Sequence, residues 1–295
     1  MKHLRDAWRS TAVTVLLALC GIGVLLYPVV ASQWNNARQQ HVARQYAQEE
    51  RQVPPELLTE TLRSAEEYNK QTPGAPILDP WLARVAKTND PYQAYLRQLA
   101  ILPEMGRLVI PATHVNLPIY HGTSDEVLQK GIGHLYGSSL PVGGPGTHAV
   151  LTGHSGLSSA TLLDNLSKVS EGDALYLQVA GREMKYQVTS IKVVKPDEVA
   201  SLARVEGEDL LTVITCTPYG INSHRLLVTG RRVPLEEAGV PDVAGIAWPT
   251  WMIAILVVCA LALVWLLWWL IRRKHNDDEK TDSVLQPARP PARHA

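Results

Sequence analysis

The chain has 295 residues, no Phe, and equal numbers of basic and acidic side chains, 28 of each, for a formal net charge of zero. That balance removes the electrostatic basis for a nucleic-acid partner. Length alone allows one or two domains, and the two chain ends divide it more sharply.

No charged residue occurs between Ser10 and Ala37. The apolar part, 11–32, contains VTVLLALCGIGVLLYPVV, and a helix of about 20 apolar residues spans a bilayer. Lys2, Arg5 and Arg9 precede it, so residues 1–10 are expected in the cytoplasm. The rival reading is a cleaved secretory signal. Its apolar part would run to only about 7–15 residues before a small-residue cleavage site. Here the run is longer, and Tyr27 and Pro28 sit near its end, which favours an uncleaved anchor.

Residues 33–104 read as helical with one loop. Trp34 to Gln52 is polar, lacks Gly and Pro, and continues the first helix until Val53-Pro54-Pro55 breaks it. Glu56 to Lys70 restarts, with Leu58, Leu62 and Ala65 at helical spacing. QTPGAPILDPW follows as a loop, and Tyr92 to Leu99 as a further short helix.

After Gly106 the texture becomes short β-branched runs between Pro, Asn and Gly. RLVIPATHVNLPIYHG is followed by HAVLTGH, ALYLQVAG, MKYQVTSIKVV, LLTVITC and HRLLVTGRRV. Their spacing predicts a mainly β domain, a barrel or sandwich, over 105–240, with one short helix from Ser158 to Leu166. A second charge-free run begins at Val243, and 246–271 reads as another membrane helix with Trp at both ends. Arg272, Arg273 and Lys274 follow, placing the tail 272–295 in the cytoplasm; after Lys274 it is charged, then Pro- and Arg-rich, and is expected to be disordered. Both termini inside puts the segment between the spans outside.

Cys20 and Cys259 fall within the spans, which leaves Cys216 as the single cysteine of the outer domain. A lone cysteine in that compartment is either an inert buried thiol or a reactive one. Cys216 ends a strand-like run and precedes the turn TPYG, a good place for an exposed nucleophile. Nine residues on, Arg225 would be returned beside it by the following strand, where a fixed cation could bind an oxyanion; taken alone it reads more simply as a surface arginine. His154 sits in the glycine-flanked loop of VLTGHSGL. His41, His114, His121, His134 and His148 are competitors that spacing cannot rank, and a metal site from His148 and His154 lacks a third ligand.

TVITC resembles the sortase signature TLxTC, with Val213 where Leu is usual, and GHSGLSSA resembles the histidine loop of that family. The chain from LPIYHG to VLTGHSGL, together with TPYGINSHRLLVTG and the C-terminal span, is similar to class C, the pilin-polymerising sortases. Ser155 departs from the Arg frequent there. The resemblance implies an eight-stranded sortase barrel with short helices, an N-terminal helical and lid segment and two transmembrane helices. It implies Cys216 as nucleophile, His154 as acid/base and Arg225 as oxyanion stabiliser. Asp79, Pro80 and Trp81 resemble the class C lid, with Asp79 facing Arg225 and Trp81 covering Cys216. The implied reaction cleaves an LPxTG-like sorting signal through a Cys thioacyl intermediate and passes it to a pilin lysine amine, without metal or cofactor. The implied partners are LPxTG-bearing pilin subunits and membrane lipid. Attachment of proteins to peptidoglycan, or a non-catalytic pilus scaffold, are the alternatives.

Overall fold

A computed structural model describes residues 2–72, 89–243, 245 and 248–285. The chain divides into two compact units, Met1–Val30 with Thr250–Ala295, and Ala31–Pro249. The first unit holds the apolar parts of two helices, α1 (Lys2–Glu50) and α5 (Thr250–Leu285). Both helices are long and apolar enough to cross a membrane. Pro28 lies inside α1 without ending it. α5 runs on past Lys274 to Leu285, which corrects the expectation of disorder immediately after the basic cluster. The physical reason is local: HNDDEKTDSVL contains no Pro or Gly, and the first helix breaker is Pro287.

In the second unit, α1 continues to Glu50 and Pro54 separates it from α2 (Pro55–Gln71). α3 (Asp90–Leu96) starts at Asn89, whose side chain accepts a hydrogen bond from Tyr92 N, an N-cap. The expected lid residues Asp79, Pro80 and Trp81 lie outside the described residues.

The remainder forms eight strands: β1 (Gly106–Ile110), β2 (Val115–His121), β3 (Ile132–His134), β4 (Thr147–Thr152), β5 (Ala174–Val179), β6 (Arg182–Val194), β7 (Asp209–Thr217) and β8 (His224–Val233). They close into a barrel in the order β1-β2-β3-β4-β7-β8-β6-β5, with β5 returning to β1. Closure leaves no open sheet edge among these strands. The interior is apolar and includes Leu108, Ile132, Leu151, Leu177, Leu211 and Val213, all fully buried.

The strand runs expected from the sequence map onto seven of these strands. The three-residue β3 is too short to show a period. α4 (Asp125–Lys130), between β2 and β3, was also not anticipated. Its signal is in the sequence: Ser124 caps it, Asp125 and Glu126 occupy the first turn, Lys130 the last, and Gly131 follows. The helix expected over Ser158 to Leu166 is absent. Those residues run in turns, with Leu162 at φ 40°, and only Leu166–Lys168 makes one 3-10 turn. Backbone donors within that run are taken elsewhere: Thr161 N by Asn36 and Leu163 N by the His154 carbonyl.

Candidate active site

β7 is buried on both faces. Leu211 and Val213 point into the barrel core, while Ile214 joins an outer cluster with Val150, Leu202 and Leu227. Side chains alternate along a strand, so Thr212, Ile214 and Cys216 share this outer face. The connection between β6 and β7, which carries Leu202, packs on it.

Two ladders meet at β7. In the antiparallel ladder with β8, Cys216 is directly opposite Arg225. In the parallel ladder with β4, Thr152 is opposite Ile214, and Gly153 N donates to Ile214 O at 3.1 Å. Backbone pairing thus sets Cys216 opposite Arg225, with His154 in the loop two residues beyond the last β4–β7 pair, Thr152 and Ile214.

Local contacts hold each residue. Cys216 and Arg225 are each 8% exposed, and His154 is half-buried. Arg225 Nη1 donates to the carbonyls of Asn222 (3.1 Å) and His224 (3.2 Å), which fixes one arm of its guanidinium. Ser155 Oγ donates to the Cys216 carbonyl at 2.6 Å, stitching the His154 loop to the end of β7. Thr215 Oγ1 donates to Gly153 O at 2.8 Å, a second stitch. Glycine at 153 leaves room for its neighbours: a Cβ there would lie 2.7 Å from Ile132 Cδ1 and 2.8 Å from Leu163 Cδ1, so those side-chain tips would have to shift.

Burial lowers the pKa of His154 below its ordinary 6.5, and the carboxylate of Asp125 partly offsets this. The imidazole is therefore mainly neutral at neutral pH and able to take a proton from a thiol. His148 has both ring nitrogens engaged, Nδ1 with Ala203 O at 2.9 Å and Nε2 with Thr212 Oγ1 at 2.7 Å. His134 is fully buried and bonded to Tyr95 and Ser139, and His121 Nε2 meets Gln98 O at 2.6 Å. These two histidines brace α3 against the barrel.

Sequence reasoning missed the residues that support the site. Ser155 was noted only as a departure from Arg. Asp164, whose Oδ1 accepts from Gly156 N at 2.8 Å, was not singled out. Asn36, which bonds to Thr161 in the His154 loop, carried no signal, because it lies in a run read as a polar helix.

A thiol opposite a guanidinium at a strand end of a closed eight-stranded barrel, with an imidazole in the loop tied to that strand end, has the constituents of a cysteine acyl-transfer site. Comparison with known proteins gives the family. The Sortase domain family matches residues 108–233. Sortase A of Bacillus anthracis is 30% identical over 126 residues, 43% of this chain and 58% of the relative. Among solved structures, sortase C-1 from Actinomyces oris is 57% identical, with TM-score 0.58, covering 60% of this chain and 99% of that one. Sortase C of Streptococcus pneumoniae is 39% identical, with TM-score 0.61, covering 68% and 100%. The chain belongs to the sortase family, whose members are cysteine transpeptidases, and its structural neighbours include class C sortases.

Proposed function

We propose that this protein is a class C sortase that cleaves an LPxTG-like sorting signal and joins it to a pilin lysine, building covalent pili. The observation that carries the reading is Cys216 directly opposite Arg225, with the loop of His154 tied to the end of the same strand by the hydrogen bond from Ser155 Oγ to the Cys216 carbonyl. The sequence similarity to sortase C of Streptococcus pneumoniae, described for its pilin substrate specificity, supports the substrate class.

In this reading His154 takes the Cys216 proton, and the thiolate sulfur attacks the threonine carbonyl carbon of the signal. Arg225 donates hydrogen bonds to the resulting oxyanion. The C–N bond to glycine breaks as His154 returns the proton to the departing amine. The thioacyl carbon is then attacked by a lysine Nζ; the amine loses its proton to His154, and Cys216 leaves as thiolate. Aminolysis requires that water be kept from the thioacyl, a role we assign to the segment with Asp79, Pro80 and Trp81. The catalytic unit would lie outside the membrane with both chain termini in the cytoplasm, as the basic residues flanking each apolar run direct.

The test is formation of the isopeptide product. Purified full-length chain, given a sorting-signal peptide and a lysine-bearing pilin fragment, should yield an isopeptide product. Cys216→Ala should yield none. Product formation by Cys216→Ala would end the proposal, and transfer to a peptidoglycan stem amine in preference to the pilin lysine would reassign the acceptor.

A further inference from the structure

We propose that Asn36, on the same continuous helix as the first apolar span, is a positioning residue for His154. The inference rests on the catalytic role given to His154 above.

Beyond its apolar part, α1 lies on the barrel along one helical stripe. Asn36, Gln39, Gln40, Ala43, Tyr46 and Glu50 are all buried. A stripe this polar is costly to bury unless each group finds a partner. The partners therefore report what the stripe holds. At one end, Glu50 accepts from Gln178 Nε2 at 2.8 Å, and Tyr46 Oη accepts from Ala180 N at 3.1 Å. Gln178 is in β5 and Ala180 follows it, so this end is fixed to the barrel wall. At the other end the partner is the His154 loop. Asn36 Nδ2 donates to Thr161 Oγ1 at 2.7 Å, and Thr161 N donates to Asn36 Oδ1 at 2.9 Å. Asn35 Nδ2 donates to Ser159 O at 2.8 Å.

The loop needs this support. From His154 to Asn165 it contains no helix or strand. Its own ties include Leu163 N to His154 O at 3.1 Å, Asp164 N to Thr161 O at 2.8 Å and Gly156 N to Asp164 Oδ1 at 2.8 Å, and Ser155 Oγ fastens it to the Cys216 carbonyl. Thr161 is two residues from Leu163, which holds the His154 carbonyl. The path from the helix to the imidazole is therefore Asn36, Thr161, Leu163, His154. A carboxamide offers one donor and one acceptor at fixed spacing, matching the hydroxyl and N–H of Thr161, so the contact sets orientation as well as distance. The anchor helix is then part of the frame of the active site and not only a tether.

The experiment uses the full-length chain in detergent with a sorting-signal peptide. Asn36→Ala should lower kcat roughly 10- to 100-fold, the scale of a misplaced catalytic group, while KM changes less than about twofold. Asn36→Asp should restore kcat, because a carboxylate can accept from both the N–H and the hydroxyl of Thr161. A contact that only stabilised the fold would instead lower the melting temperature and leave kcat per folded molecule unchanged, and that result would overturn the proposal. So would an Asn36→Asp chain as slow as Asn36→Ala. Should Asn36→Ala not fold, Thr161→Val, which removes only the Oγ1 contact, is read on the same two scales. His154→Ala separates the levels: if it is active, the catalytic reading fails; if it is inactive while Asn36→Ala keeps full kcat, only the positioning role fails.

Discussion

Cys216 and Arg225 are directly opposed in the ladder between β7 and β8, so one pair of facing backbone positions brings the thiol and the guanidinium together. Opposed residues of an antiparallel pair project to the same face with Cβ atoms about 4.5–5.5 Å apart. The chain between them, residues 218–223, makes the turn, and the carbonyls of Asn222 and His224 hold Arg225 Nη1.

That grip makes the first prediction. A planar guanidinium held by one nitrogen directs its remaining donors, whereas an ammonium on a flexible stem does not. Arg225→Lys keeps the charge and should still lose about 100–1000-fold in kcat, the usual cost of removing an oxyanion donor. Steady-state cleavage of a sorting-signal peptide measures it. A rate near wild type would remove Arg225 from the oxyanion role.

The pairing was legible in the sequence because TVITC and HRLLVTGRR are strong strand patterns flanking a short turn. Most of the strands were legible for the same reason, while the choice of a barrel over a sandwich came from the resemblance to sortases. The closing order was not, since the parallel ladder between β4 and β7 joins segments far apart in sequence. That ladder brings the end of β4, which precedes His154, beside β7, a relation that spacing alone could not show, so the histidines stayed unranked without the resemblance of GHSGLSSA to the sortase histidine loop. The docking stripe of α1 was hidden for a different reason: it is built from Asn, Gln, Ala, Tyr and Glu, so hydropathy shows no apolar face. Ser158 to Leu166 misled because its residues suit a helix, while Asn36 claims Thr161 N and the His154 carbonyl claims Leu163 N.

Asp164 predicts a pH-dependent stability. Its Oδ1 accepts from Gly156 N, its Oδ2 is buried with no hydrogen-bond partner among the described residues, and burial lifts its pKa from 3.8 to about 7. Between those values the folded chain holds more protons than the unfolded one, so this group makes stability fall as pH rises from about 4 to about 7. Asp164→Asn keeps an acceptor for Gly156 and does not ionise. Its melting temperature relative to wild type should climb across that window and level off above it. A relative melting temperature that fell with rising pH would contradict the burial account.

Asp125 supplies a test of the His154 environment. Its carboxylate partly offsets the lowering of the His154 pKa by burial. Asp125→Asn should therefore move the limb of the pH–rate profile governed by His154 to lower pH. Asp125 is exposed, so added salt should shrink the difference between the two proteins. An unmoved or upward-shifted limb at low salt would show that Asp125 does not act on His154.

The last prediction concerns the segment expected to guard the thiol. The helices on either side of it are well fixed. Asn69 near the end of α2 donates to Leu140 O at 3.1 Å and accepts from Leu140 N at 2.7 Å. Tyr95 of α3 donates to His134 O at 3.1 Å and accepts from Gly122 N at 3.0 Å. Changes at Asp79 and Trp81 should therefore act on their own segment and leave α2 and α3 in place. The similarity to class C sortases implies that Asp79 meets Arg225 and Trp81 covers Cys216. A partly exposed ion pair contributes only about 0–1 kcal/mol, so the indole should matter at least as much. A guarded state favoured by a few kcal/mol at most leaves a minor open population that substrate can select. Asp79→Ala combined with Trp81→Ala should then raise the rate at which a small alkylating reagent consumes the Cys216 thiol in the full-length chain. Cleavage of a free sorting-signal peptide should rise with it, while pilus polymer in cells need not if substrate itself opens the site. The other cysteines, Cys20 and Cys259, are changed to Ser so that loss of free thiol reports Cys216 alone. Equal alkylation rates in the two chains at one pH would mean that Asp79-Pro80-Trp81 does not shield the nucleophile.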